Sequence, residues 1–120
     1  MQSDRFVVFV YGTLMRGERA HSFLNGARFL GEYTLADYAL YNLGWYPGIR
    51  QKAGSRVFGE AYEVDAAMLK EMDRYEGEGS LYHRTPVHVQ NDDCVIDALA
   101  YVYAREISDR LIESGSWKKR

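Results

Sequence analysis

The sequence predicts an α+β protein, a compact mixed β-barrel of about six strands flanked by one main helix and short helices. Short strand-like segments recur along the chain, and only one segment carries a strong helix pattern with clear start and stop signals. The length of 120 residues suits one domain over 1–120. Hydrophobic residues (47%) and charged residues (27%) are balanced as in globular proteins.

The first strand is expected at Phe6–Tyr11, which is aromatic and β-branched on both faces, as in a fully buried strand. It ends at Gly12, and residues 12–19 are expected to form a loop. Ala20–Leu24 could form a short helical turn that Gly26 ends.

Three further strands are expected before the main helix. Arg28–Tyr33 and Ala36–Leu43 are predicted as two neighbouring strands, followed by the apolar loop Gly44–Ile49. Arg56–Val64 shows the alternation of a strand, with Phe58, Glu60, Tyr62 and Val64 on one face.

The main helix is predicted over Ala66–Tyr75, a segment rich in helix formers. Asp65 can serve as its N-cap, and Gly77 and Gly79 end it.

The end of the chain is predicted to add two strands and a short helix. The strands are Tyr82–Gln90 and Cys94–Ala104, joined by a turn at residues 91–93. A last helix is expected at Ser108–Gly115, capped by Ser108, and Ser116–Arg120 is expected to be frayed.

Charge and hydropathy exclude several classes of partner. The 15 basic and 17 acidic residues give a net charge of −2, without the excess of cations that binding to nucleic acid requires. No apolar run approaches the roughly 18 residues of a membrane span. We therefore expect no nucleic-acid partner, no membrane insertion and a cytoplasmic location.

Metal and thiol chemistry is also disfavoured. Cys94 is the only cysteine and lies in an apolar segment, so we expect a small buried hydrophobic side chain rather than a reactive thiol. His21, His83 and His88 lack metal-ligand spacing, and no Ser-His-Asp arrangement is indicated. We expect no metal and no cofactor.

Glu76 stands out on the predicted helix because it falls on the apolar face, between Leu69 and Met72. Burial and the negative end of the helix dipole would both raise the pKa of its carboxyl, as a general acid or base requires. Alternatively, the helix frays before Glu76, and its side chain pairs with Arg74 or Arg84.

The glycine turn after the first strand is a second candidate. Along Tyr11, Gly12, Thr13 and Leu14, backbone N–H groups leave the sheet and can converge on a carboxylate or an oxyanion. An ordinary turn is the alternative.

Ten tyrosines in 120 residues are a third feature, because tyrosine combines an apolar ring with a polar tip that suits a polar cavity. Half of them are expected in or beside a cavity: Tyr11, Tyr46, Tyr75, Tyr82 and Tyr103. The other half are expected to be ordinary packing residues of strands: Tyr33, Tyr38, Tyr41, Tyr62 and Tyr101.

Five motifs occur in a fixed order. They are Tyr11–Gly17, Leu43–Ile49, Val57–Tyr62, the helix end Met72–Gly77 followed by Tyr82–Arg84, and Ala100–Tyr103. Together they resemble the gamma-glutamylcyclotransferase-like family, specifically the branch with gamma-glutamylamine cyclotransferase and small bacterial relatives. The resemblance spans about Phe6 to Trp117.

The resemblance implies a mixed β-barrel with a cavity at one end. It implies that Glu76 is the catalytic glutamate, that the backbone of Tyr11, Gly12, Thr13 and Leu14 binds the glutamyl part of the substrate, and that Tyr103 lines the cavity. The loop Gly17–His21 departs from the family pattern, since relatives often carry Pro-Asn before the histidine, which affects the shape of the mouth.

The activity that the resemblance implies is cyclisation of a small γ-glutamyl amide or amine, with release of 5-oxoproline and a free amine. The leaving amine stays open among γ-glutamyl-ε-lysine, γ-glutamyl amino acids and other γ-glutamyl metabolites. The alternatives are a non-catalytic barrel that binds a small molecule in the same cavity, and a purely structural domain. We expect a monomer or a weak homodimer.

Overall fold

The computed structural model describes residues 4–107 and 110–120, and its strands close into a barrel. The order around the barrel is β1-β3-β2-β4-β5, with antiparallel neighbours except for the parallel pair β1 and β5. The strands are β1 (Arg5–Val10), β2 (Arg28–Asn42), β3 (Pro47–Asp65), β4 (Tyr82–Gln90) and β5 (Val95–Tyr103). The predicted mixed α+β barrel is confirmed.

The main helix α1 (Ala66–Glu76) follows β3 directly and is confirmed with both of its caps. Asp65 accepts a hydrogen bond from the backbone N–H of Met68 at 2.8 Å. Gly77 ends the helix in the left-handed conformation, with φ of 67°. Leu69 and Met72 are buried against the barrel.

The strand count among the described residues is five rather than six, because Arg28–Tyr33 and Ala36–Leu43 form one continuous strand, β2. Irregularities between Phe29 and Gly31 and between Ala36 and Tyr38 bend β2 without ending its pairing with β3. Asp37 takes a positive φ of 63° at the second irregularity.

The predicted loop Gly44–Ile49 is also shorter than expected. Strand β3 already begins at Pro47, so Arg56–Val64 is only the second part of a 19-residue strand. The connection between β2 and β3 is a turn of residues 43–46, in which the N–H of Leu43 donates to the carbonyl oxygen of Tyr46 at 3.0 Å.

The C-terminal segment differs most from the prediction. The expected helix Ser108–Gly115 begins outside the described residues, and its described part, 110–115, contains no helix. Leu111 instead forms a bridge with Tyr41 on β2. Ser116–Arg120 is not frayed: residues 117–119 form a short 3-10 helix, and Trp117 is 2% exposed in the core.

Cys94 is exposed, so the expectation of a buried hydrophobic side chain is wrong. The residue lies before β5, in a turn where its N–H donates to the side-chain oxygen of Asn91 at 3.0 Å. Its Sγ atom lies 3.6 Å from the hydroxyl of Tyr33.

Within residues 4–107 and 110–120, no helix combines the length and the apolar character that crossing a membrane requires.

Candidate active site

A cavity of about 220 Å³ opens where β1 ends, between the loop after β1, the end of α1 and the turn before β3. This volume is below the roughly 300–1,000 Å³ typical of pockets for drug-sized ligands, so it suits a small molecule. Aromatic rings form much of its wall: Phe9, Tyr11, Tyr46, Tyr75, Tyr82 and Tyr101.

Glu76, the last residue of α1, lines this cavity and is partly buried. Burial raises the pKa of its carboxyl from 4.5 to about 7. In the described part of the chain, no side chain forms an ion pair or a hydrogen bond with it within the usual distances. Its carboxyl group therefore remains available to a bound molecule.

The alternative for Glu76, pairing with Arg74 or Arg84, is not what the structure shows. The guanidinium of Arg74 pairs with Glu71 at 3.0 Å on the outer face of α1. Arg84 pairs with Asp73. The helix continues to Glu76 before the Gly77 cap, so it does not fray earlier.

The loop after β1 brings Tyr11, Gly12, Thr13 and Leu14 together on the cavity wall, all buried. Its turn uses carbonyl groups as acceptors: Met15 N–H donates to Gly12 at 3.0 Å, and Ala20 N–H donates to Thr13 at 2.9 Å. Among the residues that the structure describes, no hydrogen-bond partner is found for the N–H groups of Thr13 and Leu14. These donors suit an anion.

Gly12 allows the loop to pass close to Pro47. A Cβ atom at position 12 would lie 2.3 Å from Cγ of Pro47, well inside van der Waals contact. The carbonyl oxygen of Pro47 also accepts a hydrogen bond from the hydroxyl of Tyr82 at 2.6 Å. Because Gly12 has no side chain, the loop can pack against the start of β3.

Glu60 anchors the far side of the loop and was missed in the sequence. Glu60 is 5% exposed, and its carboxylate accepts hydrogen bonds from Arg16 N–H and from the Tyr62 hydroxyl, both at 2.9 Å. His21 Nδ1 donates to the carbonyl of Leu14 at 2.9 Å. The position of Glu60 between Phe58 and Tyr62 on one strand face is the sequence pattern that could have identified it, because burying a carboxylate is costly unless it has partners.

Tyr101 lines the cavity, whereas Tyr103 does not, contrary to the assignment from the sequence. Both point to one face of β5, but Tyr103 lies two residues farther along, where its ring packs edge-on against Tyr82 with ring centroids 5.3 Å apart. A Cβ atom at Gly48 would lie 2.9 Å from Cβ of Tyr103. Tyr103 therefore supports the wall from outside the lining.

The buried tyrosines surround Glu76 with fixed hydroxyl groups. Tyr11 donates to the carbonyl of Tyr101 at 2.6 Å, and Tyr101 donates to Asp73 at 2.7 Å. Burial is the main cause that raises the pKa of Tyr11, Tyr82 and Tyr101. Neighbouring groups, Glu76 among them, raise the pKa of these tyrosines further. These side chains stay neutral and act as hydrogen-bonding groups rather than as bases.

Over residues 4–107 and 110–120, no three His, Cys, Asp or Glu side chains come together in a way that could hold a metal ion. Among the described residues, the groups that line the cavity and could act on a bound molecule include the Glu76 carboxyl, the backbone N–H donors of the loop and the guanidinium of Arg19.

Comparison with known proteins places the chain in a family. A sequence model described as "Gamma-glutamyl cyclotransferase, AIG2-like" matches residues 8–119. The chain is 36% identical over 114 residues to the gamma-glutamylcyclotransferase family protein YtfP of Escherichia coli K12, covering 94% of this chain and 96% of the relative. It is 42% identical over 96 residues to gamma-glutamylaminecyclotransferase of Bos taurus, covering 68% of this chain and 55% of the relative.

The fold agrees with this match. The crystal structure of an AIG2-like protein from Mus musculus superposes with a TM-score of 0.84 at 29% identity, covering 93% of this chain and 87% of the mouse chain. The resemblance drawn from the sequence motifs is confirmed. The chain belongs to the gamma-glutamyl cyclotransferase, AIG2-like family of cyclotransferases.

Proposed function

We propose that this chain cyclises a small γ-glutamyl amide or amine and releases 5-oxoproline and a free amine, with Glu76 as general acid and base. The observation that carries the proposal is the Glu76 carboxyl, which is partly buried, has no hydrogen-bond or ion-pair partner among residues 4–107 and 110–120, and has a pKa raised to about 7. It lies in the same cavity as the loop Tyr11–Leu14, whose N–H groups suit an anion.

The substrate supplies its own nucleophile, so no enzymatic serine or cysteine is needed. The α-amine attacks the γ-carbonyl carbon, which closes a five-membered ring by forming a carbon–nitrogen bond. Glu76 removes a proton from the attacking amine and transfers it to the departing nitrogen as the original amide bond breaks. A carboxyl with a pKa near neutrality can do both.

The loop after β1 would hold the glutamyl part of the substrate. The N–H groups of Thr13 and Leu14 are suited to its carboxylate or to the oxyanion that develops on the γ-carbonyl. A cavity of about 220 Å³ with aromatic walls favours a folded conformer of the glutamyl chain. Folding the chain brings amine and carbonyl together, which accelerates ring closure through orientation.

The names of the relatives support this reading. A bovine relative is called gamma-glutamylaminecyclotransferase, and the E. coli relative is called a gamma-glutamylcyclotransferase family protein.

The proposal is tested by incubating the purified chain with a panel of γ-glutamyl amines, γ-glutamyl-ε-lysine and γ-glutamyl amino acids, and measuring 5-oxoproline by mass spectrometry. We expect release of 5-oxoproline from at least one class. Binding without product across the panel would instead support the small-molecule-binding barrel. Neither binding nor product, with a thermal stability that no γ-glutamyl compound changes, would support a structural domain.

Four expectations stay predictions from the sequence. They are a cytoplasmic location, a monomer or weak homodimer, a single domain over residues 1–120, and a reaction that needs no cofactor.

A further inference from the structure

The two backbone donors proposed to bind the anion belong to a tight turn in the loop after β1. The N–H of Met15 donates to the carbonyl oxygen of Gly12 at 3.0 Å. The N–H of Ala20 donates to the carbonyl oxygen of Thr13 at 2.9 Å. Because each peptide unit is planar and trans, these bonds also fix the N–H groups of Thr13 and Leu14, which share those two units. The direction of both donors therefore depends on how the turn is held.

Arg16 follows this turn directly, and charged side chains hold both of its backbone groups. Its N–H donates to Oε1 of Glu60 on β3 at 2.9 Å. Its carbonyl oxygen accepts a hydrogen bond from the ammonium group of Lys118, in the 3-10 helix near the end of the chain. We call Glu60 and Lys118 the Arg16 clamp. The clamp joins the loop to two residues that are 44 and 102 positions away in the sequence.

Glu60 is itself held firmly in place. It is 5% exposed, and the hydroxyl of Tyr62 donates to the same carboxylate oxygen at 2.9 Å. The Nε atom of Arg16 lies 3.8 Å from the other oxygen, and the guanidinium of Arg16 stacks over the ring of Phe29 at 4.1 Å. Burying a carboxylate is costly unless hydrogen bonds and an opposite charge compensate it. Glu60 therefore has the partners that a buried acceptor for the loop requires.

We infer that the Arg16 clamp sets the affinity of the loop for the carboxylate of the glutamyl part, with Glu60 and Lys118 as positioning residues. This inference rests on the proposed function. Neither residue is among the described residues that line the cavity, so both act through the loop backbone rather than on the substrate. Without the clamp, the chain after the turn can move, and the donors of Thr13 and Leu14 lose their fixed alignment.

The effect falls on substrate binding more than on proton transfer. Glu76 is carried by α1, whereas the clamp joins the loop to β3 and to the 3-10 helix. A loop that must be ordered when the substrate binds weakens binding by the cost of that ordering. Loss of the clamp should therefore raise KM and the dissociation constant, with kcat nearly unchanged.

Two substitutions at Glu60 separate its hydrogen bonds from its packing. Glu60→Met removes the acceptor oxygens, whereas Glu60→Gln keeps one acceptor oxygen and the shape of the side chain. Val89→Ala controls for a general loss of stability, because Val89 is fully buried on β4 and is not among the residues that line the cavity.

Lys118→Met tests the second half of the clamp. Lys119→Met is the matched control, because Lys119 is the exposed neighbour of Lys118 in the same 3-10 helix. In the part of the chain that the structure describes, the ammonium group of Lys119 forms no hydrogen bond with the loop.

Three measurements are made on each variant. Calorimetric titration gives the dissociation constant of 5-oxoproline, which carries the carboxylate of the glutamyl part. Steady-state kinetics give KM and kcat for the compound of the γ-glutamyl panel that is turned over fastest. Hydrogen exchange followed by NMR reports how firmly the N–H of Arg16 is held, and it does not depend on activity.

We expect Glu60→Met to raise KM and the dissociation constant of 5-oxoproline by about tenfold or more, the size of a hydrogen bond to a charged group. Exchange at Arg16 should become faster by a similar factor, and kcat should change by less than about threefold. Glu60→Gln should stay within about threefold of the unmodified chain. Lys118→Met should raise KM by about threefold, because its exposed ammonium group competes with water. Lys119→Met and Val89→Ala should leave KM unchanged.

Unchanged KM and binding in Glu60→Met would overturn the inference and leave the proposed function standing. Equal rises of KM in Glu60→Met and Val89→Ala would also overturn it, because general instability would then be the cause. A fall in kcat at constant KM would overturn it as well, since the clamp would not act on binding. No 5-oxoproline from any compound of the panel would overturn both proposals, and faster exchange at Arg16 would then report a structural contact alone.

Discussion

The side-chain hydroxyl of Thr13 lies 2.9 Å from the phenolic oxygen of Tyr75, the residue directly before Glu76. Thr13 belongs to the loop after β1, and the Tyr75 ring packs against Phe23 with ring centroids 4.8 Å apart. This hydrogen bond joins the loop to the end of α1. The proposed anion-binding donors and the proposed acid/base are thereby held in one geometry.

Replacing Tyr75 by phenylalanine should loosen that geometry while keeping the ring contact with Phe23. We expect the free energy of unfolding to fall by about 1 kcal/mol, the value of one hydrogen bond. We expect kcat/KM for 5-oxoproline release to fall by roughly tenfold, because small errors of position are costly in an oriented site. Urea unfolding and steady-state kinetics measure the two effects.

Tyr38→Phe serves as the control for this substitution, because Tyr38 is partly buried, does not line the cavity and has no hydrogen-bond partner for its hydroxyl among the described residues. Equal kinetics for Tyr75→Phe and Tyr38→Phe would show that the Thr13–Tyr75 contact does not position the site.

Gly12→Ala should distort the loop, because the new methyl group would lie 2.3 Å from Cγ of Pro47. We expect a loss of about 1–3 kcal/mol in the free energy of unfolding, typical of overpacking, and weaker binding of γ-glutamyl compounds. Chemical unfolding and calorimetric titration report these changes.

The double variant Gly12→Ala with Pro47→Ala tests the cause. Removing the proline ring should restore stability to near that of Pro47→Ala alone. An equally unstable double variant would mean that the glycine is required for another reason.

Features set by neighbouring residues could be predicted from the sequence. The sequence predicts helix α1 with both caps because Asp65 and Gly77 act within a few residues of the helix ends. The 3.6-residue helical period identifies Glu76, because it places this residue between Leu69 and Met72 on the apolar face. The family motifs then indicated the barrel and its cavity.

Features set by distant partners could not be predicted in the same way. Strand β2 continues through Asp37 because β3 pairs with both of its halves, and local patterns showed only the interruption. Tyr101 rather than Tyr103 lines the cavity because Tyr82 and Gly48 meet Tyr103 from other strands. The role of Glu60 depends on the hydrogen bond that it accepts from the N–H of Arg16, 44 positions away.

Local sequence patterns also do not predict the burial of Trp117. This burial leads to a further prediction. Trp117→Ala should lower the free energy of unfolding by about 3–5 kcal/mol, because Trp117 is 2% exposed in the core. Trp45→Ala, at the 81% exposed tryptophan, should change it by less than about 0.5 kcal/mol. Urea unfolding of both variants measures these changes. A small loss of unfolding free energy in Trp117→Ala would contradict the burial of Trp117 and support a frayed C-terminus.

The raised pKa of Glu76 predicts how stability depends on pH. The pKa is about 7 in the folded chain and near the ordinary 4.5 when unfolded, so folding favours the protonated carboxyl. This contribution is fully present below about pH 4.5 and is lost as the pH rises to about 7. Glu76→Gln should therefore match the unmodified chain at pH 4.5 and exceed it by about 1–3 kcal/mol at pH 8.

Urea unfolding at several pH values between 4.5 and 8 measures this difference. Glu71→Gln is the matched control on the same helix, since Glu71 is exposed and pairs with Arg74. A constant difference between Glu76→Gln and the unmodified chain across this range would contradict a raised pKa.

The central claim, that Glu76 transfers the protons of cyclisation, is tested most directly by Glu76→Gln on a γ-glutamyl substrate found in the panel. Release of 5-oxoproline and the dissociation constant of the substrate are measured separately, with Glu71→Gln as control. We predict that Glu76→Gln lowers kcat by about 10²–10⁴-fold, changes the dissociation constant only a few-fold, and that Glu71→Gln changes neither. Near-normal turnover in Glu76→Gln would contradict the account.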